Sequence, residues 1–280
     1  MSIDKDNVAP GPKQHKAVIL ARGLGSRMRK ESEGAELTDE QRKAADSGVK
    51  AMISIDRPFL DYVISALADA DFTDICLVIG PEHDMIRDYY DNVEKSRVTI
   101  SYAVQEEPLG TADALRAAEE FAAGEPFLVL NSDNYYPVAA YEALRDMEGA
   151  GLVGFDRVAM FEKSNIASDR VAAFALATGD EEGRLVDVVE KPSEEQIVTL
   201  GNDAMVSMNL WKFTEPIFAA AAVIPKSARG EYEIIDAVRQ AMDDGEPFSI
   251  VRSEDGVLDM SNRDDIASVA AALDGTEVSL

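Results

Sequence analysis

Cysteine, histidine and positive charge are all scarce in this chain. One cysteine, Cys76, occurs in 280 residues. An intramolecular disulfide and a multi-cysteine zinc site are therefore excluded. Lysine and arginine number 27 against 53 aspartates and glutamates, a formal net charge of −26. A nucleic-acid binder needs a basic face to displace counterions, so this balance argues against that class. No run approaches the ~18 apolar residues that cross a bilayer. The opening stretch, MSIDKDNVAPGPKQHK, has no apolar signal region, so the expectation is a cytoplasmic protein without a membrane partner. Internal repeats and linkers rich in Pro, Gly or Ser are also missing.

What is present suffices for a core, since hydrophobic residues make up 46% of the chain. The acidic balance has two readings, a surface adapted to a high-salt cytoplasm or an ordinary acidic protein. Charge alone does not separate them. It does set a condition: an anionic ligand would be repelled unless cations gather locally.

Apolar runs and helical spacings alternate along the first 130 residues. Strands are expected at 15–21, 75–80, 98–105 and 126–130, with helices at 58–69, 83–90 and 111–122 between them. Thr38-Asp39-Glu40-Gln41 is a capping-box pattern that opens a short helix. This rhythm predicts an α/β fold: a Rossmann-like, mainly parallel mixed sheet flanked by helices. Strands at 170–177, 185–190, 204–213 and 247–252 follow, with helices at 215–223, 231–243 and 262–273. Residues 1–14 are expected to be a flexible arm. Residues 15–280 are then expected to form one domain, with a nucleotide half at about 15–135 and a substrate half at about 136–280.

After the first strand comes Arg22-Gly23-Leu24-Gly25-Ser26-Arg27-Met28-Arg29-Lys30. A Gly-rich turn at that point lets backbone N–H groups meet phosphate oxygens. It also carries four cations in nine residues, the local positive charge sought above. Met28 stands where a G-x-G-x-x-G dinucleotide fingerprint needs glycine, and the Walker pattern is missing.

The string from Leu20 to Met28 resembles the signature loop of the sugar-1-phosphate nucleotidyltransferases, the nucleoside-diphosphate-sugar pyrophosphorylases. Other segments agree in order: Lys50-Ala51-Met52-Ile53-Ser54-Ile55, Arg57-Pro58-Phe59-Leu60-Asp61-Tyr62-Val63, and Gln105-Glu106-Glu107-Pro108-Leu109-Gly110-Thr111-Ala112. Leu130-Asn131-Ser132-Asp133-Asn134, Val189-Glu190-Lys191-Pro192 and Val257-Leu258-Asp259-Met260 complete the set. The likeness spans about residues 16–270. It departs at Arg22, where the family carries a small residue, and in the long acidic stretch between Arg27 and Lys50.

The resemblance implies a fold of the nucleotide-diphospho-sugar transferase type and Mg²⁺-dependent transfer of a nucleotidyl group from an NTP to a sugar 1-phosphate. It implies catalytic roles for Arg27, Lys50, Asp133 and Lys191. Nucleotide contacts would come from Leu20, Ala21, Gly23, Gly25, Ser26, Arg27, Gln105, Pro108, Gly110 and Thr111. Glu190, Lys191 and Asn209 would hold the sugar phosphate, and Asp133 and Asp259 the metal. By residue type alone, both aspartates suit a cap or a turn equally well. Residues 31–47 would form a flap over the nucleotide, and a homo-oligomer is compatible with the family. Two other readings stay open: a cytidylyltransferase for a non-sugar phosphate, and a non-catalytic nucleotide-binding homologue. A glycosyltransferase fits less well, because Asn134 and Tyr135 follow Asp133 where a D-x-D motif would stand.

Overall fold

The computed structural model describes residues 15–23, 25, 28, 29, 38, 41, 42, 45, 46, 48–167, 170 and 174–280. The expected arm at 1–14 lies outside the described residues, as does most of the 31–47 flap. Within that stretch the capping box is nonetheless visible: Gln41 N donates to Thr38 Oγ1 and Thr38 N donates to Gln41 Oε1.

Strands β1 (Lys16–Leu20), β2 (Asp74–Ile79), β3 (Thr99–Val104) and β4 (Phe127–Asn131) pair in parallel in the order β3-β2-β1-β4. Helices α1 (Phe59–Asp69), α2 (Asp84–Asn92) and α3 (Thr111–Ala117) link them, and a short α4 (Glu119–Ala122) follows α3. The long β9 (Met205–Phe213) lies antiparallel between β4 and β6 (Ala150–Phe155), and β10 (Phe248–Ser253) pairs in parallel outside β6. A hairpin of β7 (Ala175–Gly179) and β8 (Leu185–Val189) docks on the first residues of β9. The sheet is therefore mainly parallel and mixed, as expected.

Strand residues alternate between the two faces of the sheet. In β1, Ala17 and Ile19 join one buried cluster with α1, α2, α5 (Val138–Asp146) and α10 (Asp265–Leu273). Val18 joins the other, with α3, α8 (Pro216–Val223) and α9 (Ile234–Asp243). A strand buried on both faces reads as a continuous apolar run, which is why Ala17-Val18-Ile19-Leu20 was legible. Cys76, the lone cysteine, lies inside β2, and burial pushes its thiol up to about 11.

Several elements depart from the sequence pattern. Strand β6 was not expected, because Gly151 and Gly154 interrupt its apolar run. Both positions are tight: a Cβ on Gly154 would press on Ile250 and Met205. Helices α6 (Arg157–Lys163) and α7 (Glu194–Leu200) were also missed, although Ser193 and Gln196 form a capping box for α7. The strand expected over 170–177 begins only at Ala175: the Arg170 backbone is turned, its N–H bonded to Ala167 O at 2.9 Å, and Phe174 lies in a bend.

Candidate active site

Chain order reverses beside β1: β2 and β3 extend to one side and β4 to the other. In open α/β sheets the crevice outside the carboxyl ends of such strands receives ligands. A cleft of about 450 Å³ lies there. Ten residues expected in the site line it: Leu20 at the end of β1, with Ala21, Gly23 and Gly25 after it; Lys50; Gln105, Pro108, Gly110 and Thr111 after β3; and Asp133 after β4. Ser26 and Arg27 lie outside the described residues.

Gly25 has φ +58, and a Cβ there would sit 2.6 Å from Gly48 Cα and closer still to its carbonyl oxygen. The loop thus packs backbone to backbone against the turn that leads into Lys50. Arg263, nearly buried, holds the same region from the far end of the chain. Its Nε donates to the Met28 carbonyl at 2.8 Å and its Nη2 to Asp46 at 2.6 Å.

Lys50 Nζ meets Asp133 Oδ2 at 2.7 Å, with the lysine side chain 14% and the aspartate side chain 21% exposed. The two residues, expected in separate roles, are direct partners in the lining of the cleft.

Asp259 is brought to Asp133 by a two-stranded ladder of β5 (Asn134–Tyr135) and β11 (Leu258–Asp259), in which Asp259 pairs with Asn134 and Met260 N donates to Asp133 O. Its carboxylate is buried and engaged. Oδ1 accepts from Asn134 Nδ2 and Ser261 Oγ, each at 3.0 Å, and Oδ2 accepts from Arg170, which also donates to Asp265 at 2.8 Å. Desolvation and the Asp133 charge raise the Asp259 carboxyl to about 6, against the pull of Arg170.

Gln105 Nε2 donates to Gly110 O at 3.0 Å and to Asp113 Oδ2 at 2.8 Å. Both partners only accept, so the amide nitrogen must face them, and Oε1 has no partner among the described residues. Gly110 has φ +112, and a Cβ on it would strike the Tyr232 backbone. Thr111 Oγ1 accepts from Ile234 N at 2.9 Å. The 105–111 loop is thus laced to the segment before α9.

Glu190, Lys191 and Asn209 do not line this cleft. They have features of their own. Lys191 (φ 45) and Asn209 (φ 57) are two of four non-glycine residues with positive φ among the described residues. Strained backbone of this kind persists where surrounding structure imposes it, often at ligand sites. Partial desolvation raises the Glu190 carboxyl, and the charges of Arg229 and Lys191 draw it back down.

Arg229 was not anticipated from the sequence. It lines the cleft with Glu231 and pairs with Glu233 at 2.8 Å, within reach of the Glu190 charge. The signal available was Ser227-Ala228-Arg229-Gly230-Glu231, a cation in a glycine turn ahead of a helix. Arg170, Asn134 and Arg263 were missed as well, because each acts through a partner remote in sequence. The two histidines serve the scaffold: His15 Nδ1 meets Asp71 O, and His83 Nδ1 accepts from Gly80 N. Burial keeps the His83 imidazole below its ordinary value. Among the described residues, no helix is long and apolar enough to cross a membrane.

A family model described as nucleotidyl transferase matches residues 16–274. Among curated proteins, the chain is 27% identical over 251 residues to the UTP–glucose-1-phosphate uridylyltransferase AglF of Haloferax volcanii, covering 89% of this chain and 92% of that one. It is 28% identical to the low-salt glycan biosynthesis nucleotidyltransferase Agl11 of the same organism, covering 82% of this chain but 58% of the relative. A glucose-1-phosphate thymidylyltransferase of Streptomyces antibioticus is 25% identical, with 91% and 65% covered. The chain thus spans nearly all of the first relative and about three-fifths of the other two. Among solved structures, a UDP-glucose pyrophosphorylase complexed with UDP-glucose superposes with a TM-score of 0.69 at 19% identity, covering 92% of this chain and 98% of that one.

Proposed function

The chain belongs to the nucleotidyl transferase family, and we propose that it joins an NTP to a sugar 1-phosphate, giving an NDP-sugar and pyrophosphate. The observation that carries this reading is the cleft at the carboxyl ends of β1 and β4, with Lys50 and Asp133 paired in it at 2.7 Å. The named activities of the uridylyl- and thymidylyltransferase relatives support it.

In this reaction a phosphate oxygen of the sugar 1-phosphate attacks the α-phosphorus of the NTP. The bond from that phosphorus to the bridging oxygen breaks, and pyrophosphate leaves. Both reactants are anions and the nucleophile is already ionised. Catalysis therefore rests on charge neutralisation and in-line positioning rather than on a base. Lys50 and Arg229 bring positive charge to the cleft of a chain whose net charge is −26. The Gly23–Gly25 turn offers backbone N–H groups to the triphosphate, together with Arg27. Lys191 binds the sugar phosphate, while Glu190 and Asn209 take sugar hydroxyls.

A divalent cation fits Asp133, whose carboxylate reaches the cleft with Oδ2 alone engaged among the described residues. Asp259 fits less readily, because three of its roughly four acceptor positions are filled and Arg170 already neutralises it. Asp133 would therefore be the primary ligand. When bound, Mg²⁺ supplies Lewis-acid stabilisation of the phosphate oxygens. Gln105 favours a base over its rivals. Its free Oε1 accepts the ring N–H of uracil, thymine or guanine, whereas cytosine and adenine present a lone pair at that position. This argues against the cytidylyltransferase alternative.

The test is pyrophosphate release with Mg²⁺ across ATP, GTP, CTP, UTP and dTTP and several sugar 1-phosphates, with Asp133→Asn as control. Release that needs both substrates and falls at least ~10³-fold in the control is expected. No release from any pair refutes the reading.

A further inference from the structure

Among the described residues that line the cleft, Arg22 is the one with buried hydrogen-bond donors left unmet. The residue is 8% exposed, and its Nε and Nη1 are sealed from solvent without a hydrogen-bond partner. Nη2 reaches Glu82 only at 3.4 and 3.5 Å, the edge of hydrogen-bond range, and Glu82 is half exposed. Buried donors are nearly always paired, and an orphaned pair on a charged group points to a missing partner. A guanidinium donates and never accepts, so that partner must be an acceptor.

The fold says where the partner lies. Ala21 N donates to Val78 O and Gln105 N donates to Ile79 O, so both loops border the end of β2. The Arg22 side chain crosses that same end: a Cβ on Gly80 would lie 2.5 Å from Arg22 Nε. Lys50 and Asp133 stand on the opposite side of β1, beyond the end of β4. Two strand spacings, about 10 Å, separate the β2 and β4 ends. Arg22 thus belongs with Gln105 and not with the phosphate-facing pair.

We propose that Arg22 is a specificity-determining residue that donates to a keto oxygen of the nucleotide base beside Gln105. This rests on the nucleotide reading given above and deepens it. A free acceptor at Gln105 Oε1 next to a donor at Arg22 complements the adjoining N–H and C=O of a lactam: uracil, thymine or guanine. Cytosine and adenine offer a ring lone pair and an amino group there, so an acceptor would face an acceptor and a donor a donor. The guanidinium turns from the β2 end toward the cleft as the base enters and relieves its unmet donors.

The experiment is calorimetric binding, without sugar phosphate, of the Mg²⁺ salts of UTP, dTTP, GTP, CTP and ATP and of tripolyphosphate. It compares the wild type with Arg22→Met and Gly80→Ala. The first removes the donors at similar volume; the second keeps the arginine and crowds it, so a poorly folded Arg22→Met does not end the test. In the wild type, at least one lactam nucleotide should bind more tightly than CTP and ATP. Arg22→Met should weaken that nucleotide tenfold or more, Gly80→Ala, which crowds the guanidinium out of its resting place at the β2 end, should strengthen it, and both should leave CTP, ATP and tripolyphosphate within twofold. Equal weakening of all nucleotides and of tripolyphosphate would overturn the proposal in favour of a phosphate contact. Unchanged binding would reduce Arg22 to a structural partner of Glu82. A wild type that binds no nucleotide refutes the nucleotide reading itself, whereas tight wild-type binding with unselective variants refutes this inference alone.

Discussion

Replacing Gly25 by alanine separates a positioned phosphate loop from a mere surface turn. At φ +58 an L side chain costs about 1–2 kcal/mol in backbone strain. The new Cβ would also meet the Gly48 backbone, at 2.6 Å from Cα and 2.7 Å from the carbonyl carbon. Ordinary carbon contacts begin near ~3.5 Å, so loop and turn must part by roughly 1 Å. Neither neighbour is a flexible side chain that can swing aside. Overpacking of this kind adds about 1–3 kcal/mol, giving a total destabilisation of about 2–5 kcal/mol. The catalytic cost is separate. Lys50 lies two residues beyond Gly48, so the shift alters the spacing between the glycine turn and the Lys50–Asp133 pair. A 1 Å misplacement costs about 10²-fold in rate. Urea denaturation measures the first effect, and kcat/KM for pyrophosphate release at saturating Mg²⁺ the second. Gly23→Ala is the internal control, because nothing lies within 4 Å of a Cβ there. It should keep wild-type stability, and any loss of activity must then come from crowding the ligand. Full kcat/KM in a folded Gly25→Ala would refute the idea that this loop positions phosphate.

Two further predictions concern the buried charges. Arg170→Met leaves Asp259 and Asp265, each nearly buried, without their shared cation, and should destabilise by about 3–5 kcal/mol. Added Mg²⁺ should then raise the variant's Tm more than the wild type's, and equal shifts would show that the Asp259 carboxylate stays closed to metal. Lys212 is fully buried in β9 and donates to the Met147 carbonyl; desolvation lowers its ammonium to about 8, against the pull of Asp146 and Glu148. Between pH 8 and about 10.4 the unfolded chain holds a proton that the folded chain has released. Wild-type stability should therefore rise relative to Lys212→Met from pH 8 to 9.5, and parallel pH profiles would refute this.

Much of the fold was legible because its signals are local. The apolar runs at β1, β2 and β4, the Thr38–Gln41 capping box and the glycine turn after β1 each depend on residues within a few positions. Ten of the twelve distinct residues expected at the nucleotide side or at the Lys50–Asp133 pair line one cleft. The remaining two, Ser26 and Arg27, lie outside the described residues. What escaped notice was glycine-broken β6 and short helices such as α7, where periodicity is weak.

The tertiary structure decided who meets whom. Lys50 and Asp133, 83 positions apart, become partners only because β4 lies beside β1 and the Lys50 turn packs under the glycine loop. Arg229 enters the cleft because the 109–112 backbone is bonded to Tyr232. Asp259 reaches Asp133 through a two-residue ladder and is then covered by Arg170. Arg22 was visible from the start as a cation in a glycine turn, but a sequence cannot say that two of its donors are buried and unmet. Local pattern selects the elements through backbone periodicity and turn chemistry. Partner choice depends on how strands order in the sheet, and that order follows from burial of the whole chain at once.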